Sequence, residues 1–233
     1  MNNIKNFYIK TSTSKNGYYS DYRINSDAFN EGKRYFIVKK YLDKLDKINL
    51  LIEVGGAGGR YLAYLEKNYL INKILYLDIF VDKKLKKNKR IKTLEINFED
   101  NLPIQKGSVD VIILMMVIEH LFDPFEAFKK IHFLLSKEGV AFINLPLVTN
   151  IKNRIKLLFG FLPETSVPYG RWLKSNECDG GHLHYFSIKF IKDLCSMANL
   201  KIIDYQYCGR FLFLKKLWPS LFASEISFAV KRK

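Results

Sequence analysis

The 233-residue sequence has no uninterrupted apolar run near the roughly 18 residues that a membrane-spanning helix needs. Its opening segment, MNNIKNFYIKTSTS, lacks the apolar core of a signal peptide. Its cysteines, Cys178, Cys195 and Cys208, are odd in number and far apart, which suggests neither a disulfide framework nor a zinc-ligand spacing. A reducing, cytoplasmic location is expected. Acidic residues are in deficit, 23 against 38 Lys and Arg, for a formal net charge of +15. That charge admits nucleic acid, an anionic membrane or phosphorylated substrates. The lysines are spread, however, with local runs such as KKLKKNKR at 83–90, and no RNA-binding aromatic–basic motif or recognition-helix pattern stands out. The charge is therefore read as a solvating surface, and nucleic acid is not expected as a partner. A Walker A loop is missing as well, because Gly-Lys-Ser/Thr is absent, and no dinucleotide G-x-G-x-x-G stands in register.

Glycine is scarce too, 13 in all, yet four of the five residues at 55–59 are glycine. They follow the short apolar run 49–54, which predicts a buried strand entering a tight turn. Tyr61, Leu62 and Leu65 then open a helix. Before the strand, apolar residues at 37, 38, 41, 42, 45 and 48 predict a helix over 31–48. ILYLDI at 74–79 is a second buried strand, 91–96 a weaker third, and VDVIILM at 109–115 a fourth. DPFEAFKKIHFLLSKEG at 123–139 carries the signs of a helix: Asp123 as cap, Pro124 at the first position, Glu126 at the third, and Gly139 at the end. Val140–Leu145 is the next strand. Short, uniformly apolar strands alternating with helices predict an open, mostly parallel α/β sheet covered on both faces. Ligands bind such sheets beyond the C-terminal strand ends, where the glycine turn lies.

After residue 146 a long excursion with one helical piece near 150–159 is expected, then a helix at 188–198. Strand-like segments at 201–207 and 224–231 flank FLFLKKLWPSLF. The chain divides on this reading into a lid and first helix (1–48), a cofactor half of the sheet (49–146), an active-site cover (147–187) and a closing helix and strands (188–233), all within one domain. FLFLKKLWPSLF at 211–222 could make peripheral contact with a membrane; its plainer reading is a closing segment with two lysines reaching solvent. Nothing in the sequence sets an oligomeric state.

Four features fall at strand ends: Glu53 with Gly55-Gly56-Ala57-Gly58-Gly59; Asp78, placed to accept ribose hydroxyls; Asn97-Phe98, an amide beside an aromatic ring, suited to adenine; and SVDVIILMMVIEHLFDP at 108–124. Together they resemble the class I S-adenosylmethionine-dependent methyltransferases, particularly the type 11 group, whose glycine segment reads L-D-V-G-C-G-x-G-x-x-L where this chain has LIEVGGAGGRYL. Glu119-His120-Leu121 matches the family's E-H-L, Asp123-Pro124 its d-P, and GHLHYFS at 181–187 its H-x-x-x-F-[ST]. PETSVPYGRWL at 163–173 is similar to MetW-like proteins, which implies an accessory role to an acyltransferase as the alternative. The resemblance implies a seven-stranded Rossmann-like sheet with an antiparallel C-terminal edge, S-adenosyl-L-methionine as cofactor and S-adenosyl-L-homocysteine as product. It implies that Glu53 contacts the amino acid part of the cofactor and that Gly55, Gly56, Ala57 and Gly59 pass beneath it. Asp78 with Ile79 would take the ribose, Asn97 and Phe98 the adenine, and Leu114 a backbone contact. Glu53 and Ala57 depart from the family's commoner Asp and Gly.

Methyl transfer is an in-line displacement that needs alignment and exclusion of water; a base is needed only for weakly acidic acceptors. His182, at the family's recurrent histidine, and His120 are the catalytic candidates. His184 shares a face with His182 on an extended stretch; two histidines without a third ligand do not make a metal site, and none is expected. His184, Tyr22, Arg171 and Trp172 are the candidate acceptor contacts, Arg171 as a bidentate clamp for phosphate or carboxylate. The expected acceptor is a small polar molecule containing sugar or phosphate; an RNA or protein acceptor, motivated by the charge, is the other alternative.

Overall fold

A computed structural model describes residues 26–56, 59, 61–81, 83–166, 181–208 and 212–233. Seven strands, β1 Ile48–Val54, β2 Ile71–Asp78, β3 Ile91–Glu95, β4 Val109–Met115, β5 Leu135–Pro146, β6 Leu200–Tyr207 and β7 Glu225–Arg232, form one sheet in the order β3-β2-β1-β4-β5-β7-β6. The first five are parallel. β7 runs antiparallel between β5 and β6. This is the open, mostly parallel sheet with an antiparallel C-terminal edge that the sequence predicts. Strand order reverses at β1, which pairs with β2 on one side and β4 on the other. The crevice for a ligand therefore opens at the carboxyl ends of these strands.

Eight helices accompany the strands among the described residues: α1 Phe36–Leu42, α2 Leu62–Asn68, α3 Lys83–Lys86, α4 Pro124–Leu134, α5 Ile151–Leu158, α6 Ile188–Met197, α7 Leu212–Leu217 and α8 Pro219–Phe222. The central strands alternate between two cores, as a period of two requires. Ile52, Leu75, Leu77, Ile112 and Leu114 pack on one face; Leu51, Ile74, Tyr76, Val111 and Ile113 pack on the other. Glu53 and Asp78 have the parity of the second set, so both carboxylates leave the sheet on the same face.

Several boundaries move. The helix predicted over 31–48 is confined to α1; Leu45 is exposed, and Ile48 opens β1 with its N–H donating to Leu70 O at 2.9 Å. The start of α4 is as predicted, with Asp123 accepting from the Glu126 N–H at 3.0 Å and Pro124 in the first turn. Its end is not. The helix stops at Leu134 and β5 begins at Leu135. Gly139 lies inside that strand, where a Cβ would stand 2.6 Å from Val109 O. Glycine there admits the neighbouring strand rather than ending a helix. The short α3 was not foreseen. In α7, Lys215 does not reach solvent as predicted: it is buried and donates to Cys208 O.

Candidate active site

β1 delivers Glu53 into the turn above it. Gly55 has φ +64°, and a Cβ on it would meet Val117 Cγ2 at 2.7 Å, so positive φ and close packing both demand glycine. A Cβ on Gly56 would lie 2.4 Å from the Glu53 carboxyl carbon; the main chain rests directly on that side chain. The Glu53 carboxyl is buried. The Tyr35 hydroxyl donates to Oε1 at 2.8 Å, while Oε2 has no partner among the described residues. Burial, opposed by the Tyr35 bond and helped by the charge of Asp78, pushes the carboxyl up to about 8. Tyr35 is fixed by an aromatic group: its ring centroid is 4.1 Å from Tyr61 and 5.2 Å from Phe29, which stacks on Tyr64 at 4.0 Å. Beside it, Arg34 makes a bidentate pair with Glu225, both bonds 2.8 Å. The segment entering α1 is thus strapped across the end of the sheet.

Asp78 ends β2 on the same face. It accepts from the Tyr76 hydroxyl at 2.5 Å and from the Phe80 N–H at 3.2 Å. Ile79, next along, is half-buried. Beyond β3, Asn97 Oδ1 accepts the Glu99 N–H at 3.1 Å, an Asx turn that orients the amide. Phe98 is buried, and its carbonyl accepts from Lys130, whose ammonium stands 5.6 Å from the ring centroid. Leu114 is wholly buried, between Val54 of β1 and Ile143 of β5.

At the end of β4 the chain does something the sequence does not signal. Met116 has φ +58°, an uncommon conformation for a side chain of that size and a local strain. The chain then turns through a 3-10 segment, Ile118–His120. Glu119 is fully buried, with neither carboxylate oxygen bonded among the described residues. Burial pushes its carboxyl up to about 8. Its main-chain oxygen accepts from Leu183 N at 2.8 Å, which draws the 181–186 segment alongside. His120 and His182 consequently meet edge to face, ring centroids 4.7 Å apart. His120 Nδ1 donates to Gly181 O at 3.1 Å, and His182 Nδ1 lies 2.7 Å from Thr165 Oγ1. One donor atom from each of Glu119, His120 and His182 lies within 4.8 Å of the others. His184 takes a different partner, the Phe122 carbonyl at 3.1 Å.

The structure thus brings together Glu53 with Asp78, and His120 with His182. Ala57, Tyr22, Arg171 and Trp172 lie outside the described residues. Sequence reasoning missed Glu119, Tyr35 and Thr165 as members of the site. Glu119 had a signal, an acid inside the apolar run VIEHL. Tyr35 and Thr165 had none.

The residues at β1 and β2 fit S-adenosylmethionine: a buried carboxylate oxygen lacks a donor among the described residues, a glycine turn lies over it, and a second carboxylate ends the next strand. The profile of a family described as "Methyltransferase domain" matches residues 32–205, and the chain belongs to that family. It is an S-adenosylmethionine-dependent methyltransferase. Among solved structures it is similar to the 1,6-didemethyltoxoflavin-N1-methyltransferase of Burkholderia thailandensis, solved with 1,6-didemethyltoxoflavin and S-adenosylhomocysteine. That likeness has a TM-score of 0.64 at 12% identity and covers 99% of this chain and 87% of the other. An S-adenosylmethionine-dependent methyltransferase of Mesorhizobium loti gives a TM-score of 0.60 at 12% identity, covering 86% and 99%. The [4+2]-cyclase SpnF gives 0.58 at 10%, covering 84% and 80%. At these identities the likeness shows the fold; a cyclase among such structures makes plain that the reaction does not follow from fold alone. No curated protein matches the sequence.

Proposed function

We propose that the enzyme methylates a small polar acceptor, containing sugar or phosphate, held beside the Glu119–His120–His182 cluster. That cluster carries the reading: at the end of β4, next to the strand that presents Glu53, it gathers two imidazoles and a buried carboxyl. The bound cofactor supplies the electrophilic methyl group. In this reading Glu53 holds the cofactor's amino acid part, Asp78 and Ile79 the ribose, Asn97 and Phe98 the adenine, and the main chain at Gly55, Gly56, Ala57, Gly59 and Leu114 lines the remainder. The His120 ring, with its Nδ1–H given to Gly181 O, presents a basic Nε2. His182, held by Thr165 through Nδ1, takes a proton from the acceptor or orients it. Tyr22, Arg171, Trp172 and His184 are assigned to the acceptor, residues 1–48 to a lid and first helix and 147–187 to a cover, acting in the cytoplasm without a metal.

Within the family we place the chain in the type 11 group, on Glu119-His120-Leu121 and GHLHYFS. The test is an acceptor screen over phosphorylated sugars, nucleotide-linked metabolites and quinone precursors, read as S-adenosylhomocysteine formed. Turnover with a small acceptor, cut far more by His182→Ala than cofactor affinity is, supports the reading. Turnover only with RNA or a protein overturns it. No turnover, with tight binding to an acyltransferase, assigns the MetW-like accessory role instead. Activity abolished by a chelator would turn the cluster into a metal site.

A further inference from the structure

The helix α5 is turned inside out. Ile151, Ile155 and Leu158 share one face at the spacing i, i+4, i+7, and that face is exposed, Leu158 to 79%. The buried residue of α5 is Asn153, which donates to Glu164 O at 2.9 Å and accepts from Glu164 N at 3.0 Å. Past the helix, Phe159 is 70% exposed, and Phe161 and Leu162 are exposed too. α7 repeats the inversion. One of its two lysines, Lys215, is buried on Cys208 O, while Phe213 and Leu217 are 77% and 73% exposed and Trp218 follows them outward. The two regions adjoin: Arg154 Nη2 donates to Ser220 O in α8 at 3.4 Å. A notch lined by Lys156, Gly160, Phe161, Leu162 and Glu164 opens at the edge.

Charge identifies what covers this face. Residues 151–162 and 212–222 contain no Asp or Glu, and the acid at the notch, Glu164, is paired with Lys156. Lys152, Arg154 and Lys216 stand exposed among the apolar side chains. A second copy of this +15 chain would bring like charges against them. An anionic bilayer accepts both features at once, apolar side chains entering between headgroups and cations meeting phosphate. Among the described residues no helix is long and apolar enough to cross a membrane; contact is by a surface. We infer that α5, the 159–162 segment and α7–α8 form one docking face for anionic lipid. The inference does not depend on the acceptor assigned above.

The test is co-sedimentation of the full chain with vesicles of phosphatidylcholine alone and with about one third phosphatidylglycerol. Binding to anionic vesicles is expected to exceed binding to neutral ones by at least about tenfold and to weaken at high salt. The double variant Leu158→Glu, Phe159→Glu loses that binding by about tenfold or more with an unchanged thermal melt. Leu70→Glu, at another exposed leucine, leaves it as it was. Wild-type protein that ignores both vesicles overturns the proposal, as does a double variant that still sediments. A wild-type dimer that ignores vesicles and falls apart in the double variant assigns the face to a second copy instead.

Discussion

Replacing Glu53 with Gln separates what the carboxyl does for the cofactor from what it does to the fold. In the folded chain this carboxyl is displaced from 4.5 to about 8 by burial. At about 1.4 kcal/mol per pH unit, ionising it in place costs the folded chain roughly 5 kcal/mol relative to the unfolded one. The sign follows from proton counts. Below pH 4.5 both states hold the proton and no penalty exists. Between 4.5 and 8 the folded chain keeps a proton that the unfolded chain has released, so stability falls as pH rises; above 8 the loss is complete. Glu119, displaced to the same value, adds a second proton to the slope. Glu53→Gln keeps an oxygen for the Tyr35 hydroxyl and removes one of the two protons. Urea unfolding of cofactor-depleted protein at several pH values between 5 and 8 is expected to show a slope about half that of wild type. The variant should be the more stable protein at pH 8. Where Glu53 meets the ammonium of S-adenosylhomocysteine, binding near pH 7 also expels about one proton, seen by calorimetry in buffers of different ionisation enthalpy. Glu53→Gln should abolish that release and weaken binding more than about tenfold. Equal pH slopes for the two proteins would refute the reasoning, since they would mean that the carboxyl ionises normally in its buried position.

Asp78→Ala should weaken S-adenosylhomocysteine binding more than about tenfold, the worth of a lost charge-assisted hydrogen bond, with little change in the far-ultraviolet spectrum; calorimetry checks it, and unchanged affinity removes Asp78 from the site. Gly55→Ala must strain a φ of +64° and push on Val117 Cγ2; a loss of about 1–3 kcal/mol in urea unfolding is expected, partly restored by adding Val117→Ala. Asn144, buried and donating to Ser227 Oγ at 2.9 Å and Ile226 O at 3.2 Å, ties β5 to β7; Asn144→Ala should cost about 1–3 kcal/mol in the same assay without a change in cofactor affinity.

Elements whose evidence is local were legible in the sequence. VDVIILM is apolar at nearly every position, and the strand coincides with it. Asp123-Pro124 with Glu126 states a helix start in three residues. Gly139 misled because glycine serves two needs, an end to a helix and room for a neighbouring strand, and only the approach of Val109 O distinguishes them. The same limit applies at the site. Glu53, Asp78 and the glycines belong to strand ends that the sheet brings together, so their order along the chain was enough to place them. Glu119 meets His182 through a main-chain bond to Leu183, a contact between distant segments that no spacing encodes. Helical periodicity around α5 was readable too. That its apolar face would look outward was not, because periodicity describes a face and says nothing about what lies against it.

The strand order has a further consequence during synthesis. Among the described residues β6 pairs with β7 alone, and the outer edge of β5 is also reserved for β7. β6 ends at residue 207 and β7 at 232. At about 5–20 residues per second, β6 waits on the order of 1–5 s after it is made before the strand that seats it is complete. Through that interval the nascent chain holds the unpaired rims of two strands, and it is then, rather than in the finished enzyme, that the protein is most open to pairing with a neighbour on the same polysome.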